Sequence, residues 1–436
     1  MGQGVLSAAA VGPDFEPGFS SRDGELYCDA VPAGHIAEAV GTPAYVYSAG
    51  VVRQQYRRLD AALGGVPHRV HYSVKANSNL AILRLLQAEG AGVDIVSGGE
   101  LYRAREAGFA GRDIVFSGVG KTARELDEAL AEGVLFVNVE SEGELVVLDE
   151  VARARGMVAP VALRVNPEVM VDSPHHYIRT GEKGHKFGIP YDDVRDAARL
   201  TRSLPNVELV GIDMHIGSQL SSFEPYADAL ERVSALVTQL RADDFDRIRY
   251  LDVGGGLGVV YRDEPATDVE RYAEGVARAA RALDVTLVLE PGRFLVAEAG
   301  LLLTKVLYRK RSGGKEYVIT DAGMNDLLRP SHYEAFHEIV ATRPRGHRVV
   351  ADVVGPVCES GDFLARNRVV DDARPGDVLG IRTAGAYGFV MASNYNSRPR
   401  PAEVLVDGDR YAVVTERERY EDLVRQERAA LDWRTA

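Results

Sequence analysis

The chain has 436 residues, 46% of them hydrophobic and 26% charged, and a formal net charge of −13. That length accommodates two domains with a large buried core, and the acidic balance argues against nucleic acid or an anionic membrane surface as a partner. Two cysteines, Cys28 and Cys358, exclude a disulfide framework and a Cys-rich zinc site, and no apolar run approaches the ~20 residues of a membrane span, so a cytoplasmic protein is expected.

Residues 1–20 are rich in Gly, Ala and Pro and read as a disordered leader, lacking the basic and apolar regions of a signal peptide. Residues 21–50 are expected to contribute strands to a later β domain. Between 51 and 300, eight short apolar runs alternate with amphipathic stretches that end near glycine. The runs are RVHYSV (69–74), GVDIVS (92–97), DIVFSG (113–118), LFVNVE (135–140), PVALRVN (160–166), ELVGIDMHIG (208–217), YLDVGG (250–255) and TLVLEPG (286–292). Their near-continuous hydrophobicity suits strands buried on both faces. Eight such units point to a (β/α)8 TIM-like barrel, although an open doubly wound sheet shows the same alternation. Polar residues gather at the C-terminal ends of the runs, where barrels keep their chemistry, which favours closure. From 301 to 436 the rhythm changes to strand-like segments separated by Gly, Pro and Asp turns, predicting a mostly β domain of Greek-key or sandwich type. The fold class expected is therefore α/β plus β.

The first run ends at Lys75. A lysine there either snorkels to solvent or serves as a nucleophile, its pKa lowered by partial burial. After the seventh run, Gly254, Gly255 and Gly256 can converge backbone N–H groups on an anion, where barrels place phosphate, or simply make a tight turn. The eighth run ends in EPGR, with Glu290, Gly292 and Arg293; a carboxylate there can hold a pyridinium proton and an arginine can fork onto a substrate carboxylate, or the two form a rim ion pair. His215 and Ser218 follow the sixth run, offering a flat ring and a hydroxyl donor, though a lone histidine is more often a packing residue. SGVGKT (117–122) imitates a phosphate loop, but Val115 stands where its first glycine is required. In the later domain, Arg329 and Tyr333 lie one turn apart if helical, Tyr387 sits among glycines, and Cys358 beside Glu359 pairs a proton donor with a carboxylate. His332 and His337 lack the spacing of a helical metal pair, and no metal is expected.

Taken in order, YSVKAN, HIGSQ, GGGLG and EPGR resemble the alanine-racemase-like pyridoxal-phosphate family. HHYIRTGEKGHKFGI, DAGMNDLLRPSHYEAFH, GPVCESGDF and AGAYGFVMASNYNSRPRP narrow the resemblance to the diaminopimelate decarboxylases, over about residues 25–425. The resemblance implies decarboxylation of meso-2,6-diaminopimelate to L-lysine, with pyridoxal 5′-phosphate held covalently by Lys75. It implies His215 stacked on the cofactor ring, Glu290 at its nitrogen with Asp94 nearby, and Gly254 to Gly256, Ser218 and Tyr387 around its phosphate, with Gly292 and Arg293 in the same site. Arg293, Arg329, Tyr333, Tyr387 and Glu359 are implied for the amino acid. Cys358 and Glu359 are implied to come from the partner subunit of a homodimer, Cys358 as proton donor. The competing readings are a decarboxylase of ornithine, lysine or arginine, a racemase, and a catalytically silent regulatory relative; the last would be expected to lack Lys75 or the Cys358–Glu359 pair.

Overall fold

The computed structural model describes residues 17–169, 184–427 and 433. Residues 1–16 of the expected leader, residues 175–183 of the HHYIRTGEKGHKFGI motif and the last stretch of the expected β domain lie outside the described residues.

Eight parallel strands close into a barrel: His68–Ser73, Gly92–Ile95, Ile114–Phe116, Phe136–Val139, Ala159–Asn166, Val207–Met214, Tyr250–Asp252 and Thr286–Leu289. Each pairs with the next, and the eighth pairs with the first through Leu287↔His68 and Leu289↔Val70, so the sheet has no open edge and the doubly wound alternative falls. The strands occupy the apolar runs, and all but the fifth, which ends with its run at Asn166, stop earlier than the runs do. Lys75 stands in a short 3-10 turn, Val74–Ala76, rather than on strand, and Glu290 lies just beyond its strand end. Helices cap in the manner their sequences suggest: Thr122 and Glu125 form a reciprocal capping box, and Gly133 closes that helix in the left-handed conformation.

Side chains on a strand alternate in direction, so residues two apart stack as successive layers inside the barrel. Val115, Phe136, Ala162, Val210 and Val288 form one interior cluster, with Tyr250 packed against it. This apolar plug fills the barrel floor. Two residues further along the same strands stand Ser117, Asn138, Arg164, Asp252 and Glu290. The sixth strand has a register irregularity between Leu209 and Gly211, and there Asp213 takes the place. The polar layer therefore follows from the pleat once the plug is seated.

The second unit is mostly β. The 13-residue strand Gly300–Ser312 pairs antiparallel with Ala44–Ser48 and Val378–Ile381 through its first half and with Lys315–Thr320 through its second. Ala44–Ser48 also lies parallel to Ala402–Asp407, so a strand preceding the barrel sits centrally in the later sheet. Cys28 is buried among Leu26, Val31, Ile36, Leu301 and Val404, a small core hydrophobe rather than a reactive thiol. No helix among the described residues is long and apolar enough to cross a membrane.

Candidate active site

Lys75 reaches into a cavity of about 480 Å³ at the C-terminal mouth of the barrel, together with His215, Ser218, Arg293, Arg329, Tyr333 and Tyr387. Its Nζ lies 3.1 Å from Asp94 Oδ2, which also accepts a 2.6 Å hydrogen bond from Ser73 Oγ. The lowered lysine pKa expected from burial is not found. Burial does pull it down, but Asp94, Glu290 and Tyr387 outweigh that pull, and the amine is held above its ordinary value as an ammonium.

The layer beneath Lys75 is crowded with acid. Asp213, Asp252 and Glu290 bring carboxylate oxygens within 4.8 Å of one another, and Asp94 and Glu140 stand close by. Against these five carboxylates the described residues set two cations, Lys75 and Arg164; Arg164 pairs with Glu140 at 2.8 Å and approaches Asp213 at 3.8 Å. Burial first, then the Asp94 charge, pushes Glu290 up to about 7 despite Lys75 and Arg164. Asp213 and Asp252 are pushed well above the carboxylate range by burial and then by Glu290. Glu290 Oε1 is fixed by Ser117 Oγ at 3.1 Å and Asn138 Nδ2 at 3.2 Å. Asp94 Oδ1, Asn138 Oδ1 and Asp213 Oδ1 are buried without a hydrogen-bond partner. An acid-rich layer with unsatisfied acceptors suits a cationic heterocycle better than a neutral one, so the residues fit a protonated pyridine ring.

The anion end is built from two loops laced together. Leu220 N donates to Gly256 O at 2.9 Å and Gly258 N to Leu220 O at 3.0 Å, while the Gln219 amide clamps Val259 on both sides. Gly254 has φ +64°, and a Cβ there would meet His215 Nδ1 at 2.6 Å. His215 Nδ1 accepts from Gly255 N at 3.1 Å, so that nitrogen carries no proton. Burial, then Arg164 and Lys75, hold the imidazole pKa well below its ordinary value, giving a neutral flat ring over the cavity. A Cβ on Gly255 would lie 2.3 Å from Glu290 O. Gly255→Ala must therefore displace the loop from the eighth-strand tip, and we expect pyridoxal phosphate to be held about tenfold or more weaker, a cost typical of overpacking. Equilibrium dialysis of the cofactor checks this; unchanged retention would show that the loop is not its cradle.

On the other side, Arg293 Nη2 donates to Ser218 Oγ at 3.1 Å and its guanidinium lies 4.9 Å from the Tyr387 ring centre. Tyr387 adopts φ +55°, strained for a tyrosine, and its N–H donates to Ala76 O at 2.8 Å, tying it to the turn that carries Lys75. Arg329 and Tyr333 do lie on one short helix, Arg329–Tyr333, and both face the cavity. Gly292 packs against Ser73 and Ala76, where it keeps the first and eighth strand ends close.

The structure does not bring every expected residue into this cavity. Cys358 is exposed in the turn between strands Arg348–Val354 and Phe363–Asp371, its N–H donating to Asn396 Oδ1 at 2.8 Å, and neither it nor Glu359 lines the cavity of its own chain. Lys121, from the false phosphate loop, is buried against Glu144 at 2.8 Å and the carbonyls of Gly118 and Asn138, a structural tie. Sequence reasoning missed Asn138, Arg164, Asp213, Asp252 and Tyr261. For the first four a signal existed: a polar side chain inside an otherwise apolar run. Tyr261 gave none.

Residues 49–297 match the family described as "Pyridoxal-dependent decarboxylase, pyridoxal binding domain". The chain is 50% identical to the diaminopimelate decarboxylase of Pseudomonas aeruginosa over 406 residues, 93% of this chain and 97% of that protein. The crystal structure of diaminopimelate decarboxylase from Helicobacter pylori complexed with L-lysine superposes with a TM-score of 0.87 at 41% identity, covering 90% of this chain and 98% of that one. The M. jannaschii diaminopimelate decarboxylase in complex with L-lysine gives a TM-score of 0.90 at 36% identity, covering 95% and 98%.

Proposed function

This chain belongs to the diaminopimelate decarboxylases, and from that premise we propose how its residues divide the work of converting meso-2,6-diaminopimelate to L-lysine and CO2. Pyridoxal phosphate, when bound, supplies an electron sink for the pair left behind as the bond from Cα to the carboxylate breaks. Lys75 is its covalent anchor, oriented by Asp94. Glu290 faces the ring nitrogen from a position fixed by Ser117 and Asn138, and His215 offers its neutral face to the ring. The Gly254–Gly256 loop, Ser218 and Tyr387 surround the phosphate; Ser218 Oγ accepts from Arg293 and keeps its own hydrogen to donate.

The observation that carries the substrate reading is a pair of buried arginines without acidic partners. Arg293 and Arg329 are 7% and 6% exposed, both reach the cavity, and neither makes an ion pair among the described residues. Buried cations of this kind are stable when a ligand of opposite charge completes them. A substrate with a carboxylate at each end uses that charge, whereas ornithine, lysine and arginine carry a single carboxylate. With Tyr333 these arginines bind the amino acid, and Tyr387 borders the same space.

Cys358 delivers the proton to Cα and Glu359 receives a substrate ammonium, both from the partner subunit of a homodimer in the cytoplasm. Their exposure outside their own cavity supports that assignment. So does the hairpin that carries them, where Val350 and Val369, 57% and 55% exposed, are neighbours in register. The whole reading is tested by offering meso-diaminopimelate, ornithine, lysine and arginine in parallel and measuring CO2 and amine release. Release from diaminopimelate alone is expected; faster release from ornithine would move the chain to the basic amino-acid decarboxylases.

A further inference from the structure

The two cavity arginines differ from the other buried arginine of the barrel. Arg164 is matched by Glu140 and Asp213. Arg293 and Arg329 are instead held by a phenol and an imidazole rather than by a carboxylate; burial raises the Tyr261 pKa, but the two guanidiniums outweigh it and pull the phenol below its ordinary value. Arg293 Nη1 donates to Tyr261 Oη at 2.7 Å, and the Arg329 guanidinium lies 4.7 Å from the centre of the same tyrosine ring. Arg329 Nη1 is 2.8 Å from His337 Nε2, and His337 Nδ1 is 2.9 Å from Arg382 O. A carbonyl can only accept, so Nδ1 carries the imidazole hydrogen and Nε2 offers a lone pair to Arg329. The His337 ring stands edge-on to Tyr261 with centroids 5.4 Å apart, and His337 itself is fully buried. Burial, then Arg329, drives its pKa down to about 3, so the ring stays neutral across the working range. One phenol and one imidazole thus join both guanidiniums into a single unit.

We infer that Tyr261 and His337 are positioning residues that brace Arg293 and Arg329 through neutral acceptors, leaving both positive charges free for the carboxylate groups of a dicarboxylic substrate. The inference rests on the reading that these arginines bind substrate. An acidic residue at either brace position would hold a guanidinium as firmly and stabilise the empty protein more. It would also spend the charge that recognises the ligand. A neutral brace gives the fold less and the substrate more, which is the arrangement expected where recognition rather than stability selects the residue.

The experiment uses the cofactor-loaded enzyme and five variants: Tyr261→Phe, His337→Leu, His337→Gln, His337→Glu and Arg329→Gln. Four quantities are read: KM and kcat for meso-diaminopimelate, calorimetric affinity for pimelate as an unreactive dicarboxylate, and Tm. Tyr261→Phe and His337→Leu each lose one hydrogen bond to a charged group and should raise KM and weaken pimelate about tenfold or more. His337→Gln, which keeps an acceptor near the Nε2 position, should stay within about threefold of wild type, about half the energy of a tenfold change. His337→Glu is decisive: it should bind pimelate about a hundredfold more weakly while its Tm holds or rises, because the new ion pair neutralises Arg329. A purely structural role predicts that binding and Tm move together. Wild-type pimelate affinity in His337→Glu, or in both His337→Leu and Tyr261→Phe, overturns the brace. If His337→Glu fails to fold, the contrast between His337→Leu and His337→Gln decides, equal affinities rejecting the inference. If Arg329→Gln also binds pimelate normally, the substrate reading has failed; if Arg329→Gln is weak and the brace variants are normal, the brace alone is wrong.

Discussion

Lys75→Ala is expected to remove both the visible absorbance of bound cofactor and turnover, the latter by about four orders of magnitude, at the upper limit for a positioned proton-transfer group. The fold should survive, because Asp94 keeps its 2.6 Å hydrogen bond from Ser73 and the barrel closes through backbone pairing that Lys75 does not share. Lys75→Arg separates charge from nucleophilicity. It retains a cation beside Asp94 but offers a guanidinium that does not deprotonate in proteins. Both variants should be inactive, and borohydride reduction of the wild type should fix cofactor mass on the peptide that contains residue 75. Turnover by Lys75→Arg, or a fixed mass on another peptide, would remove Lys75 from the centre of the site. The raised lysine pKa belongs to the same argument. The Asp94 and Glu290 charges hold the amine protonated in the empty protein, so the burial rule read from sequence gave the wrong sign.

That error shows where sequence reading stops. Burial is legible in an apolar run such as RVHYSV, and the barrel follows from eight such runs because strands buried on both faces must be apolar throughout. Local field is not legible, since it sums groups from different strands: Asp94 from the second and Glu290 from the eighth lie 196 positions apart in the chain. Seven of the eight strand ends were read one to three residues too long for a related reason. GVDIVS and TLVLEPG continue in apolar or glycine-rich residues after the ladder stops, and the chain turns there to aim side chains over the barrel. The interior charged residues were more accessible. Asp213 in ELVGIDMHIG and Arg164 in PVALRVN stand two or three residues past small apolar ones, and strand alternation stacks them above the plug. Tyr261 and His337 were not accessible. Each looks like ordinary core, and only their shared approach to two arginines, one after the eighth barrel strand and one in the later domain, gives them a task.

The exposed position of Cys358 leads to the second large effect. Cys358→Ala alone should leave cofactor binding intact and slow turnover by about a hundred- to ten-thousandfold, the range for loss of a positioned proton donor. Mixed with inactive Lys75→Ala and allowed to exchange subunits, it should regain activity. A heterodimer built from the two has one site missing both residues and one site with Lys75 from one chain and Cys358 from the other. Random exchange at equal concentrations makes half the dimers hybrid, so activity should return to about one quarter of wild type if the sites are shared across a two-fold interface. If each site instead draws both residues from one chain, every site in every combination lacks one of them and recovery is nil. The ceiling matters as much as the recovery. Activity well above a quarter would require a Cys358-independent proton route, in which Cys358→Ala subunits contribute turnover of their own. The geometry is compatible with the shared arrangement: Lys75 and Arg329 open onto one cavity, and Cys358 sits outside it on a hairpin with exposed valines.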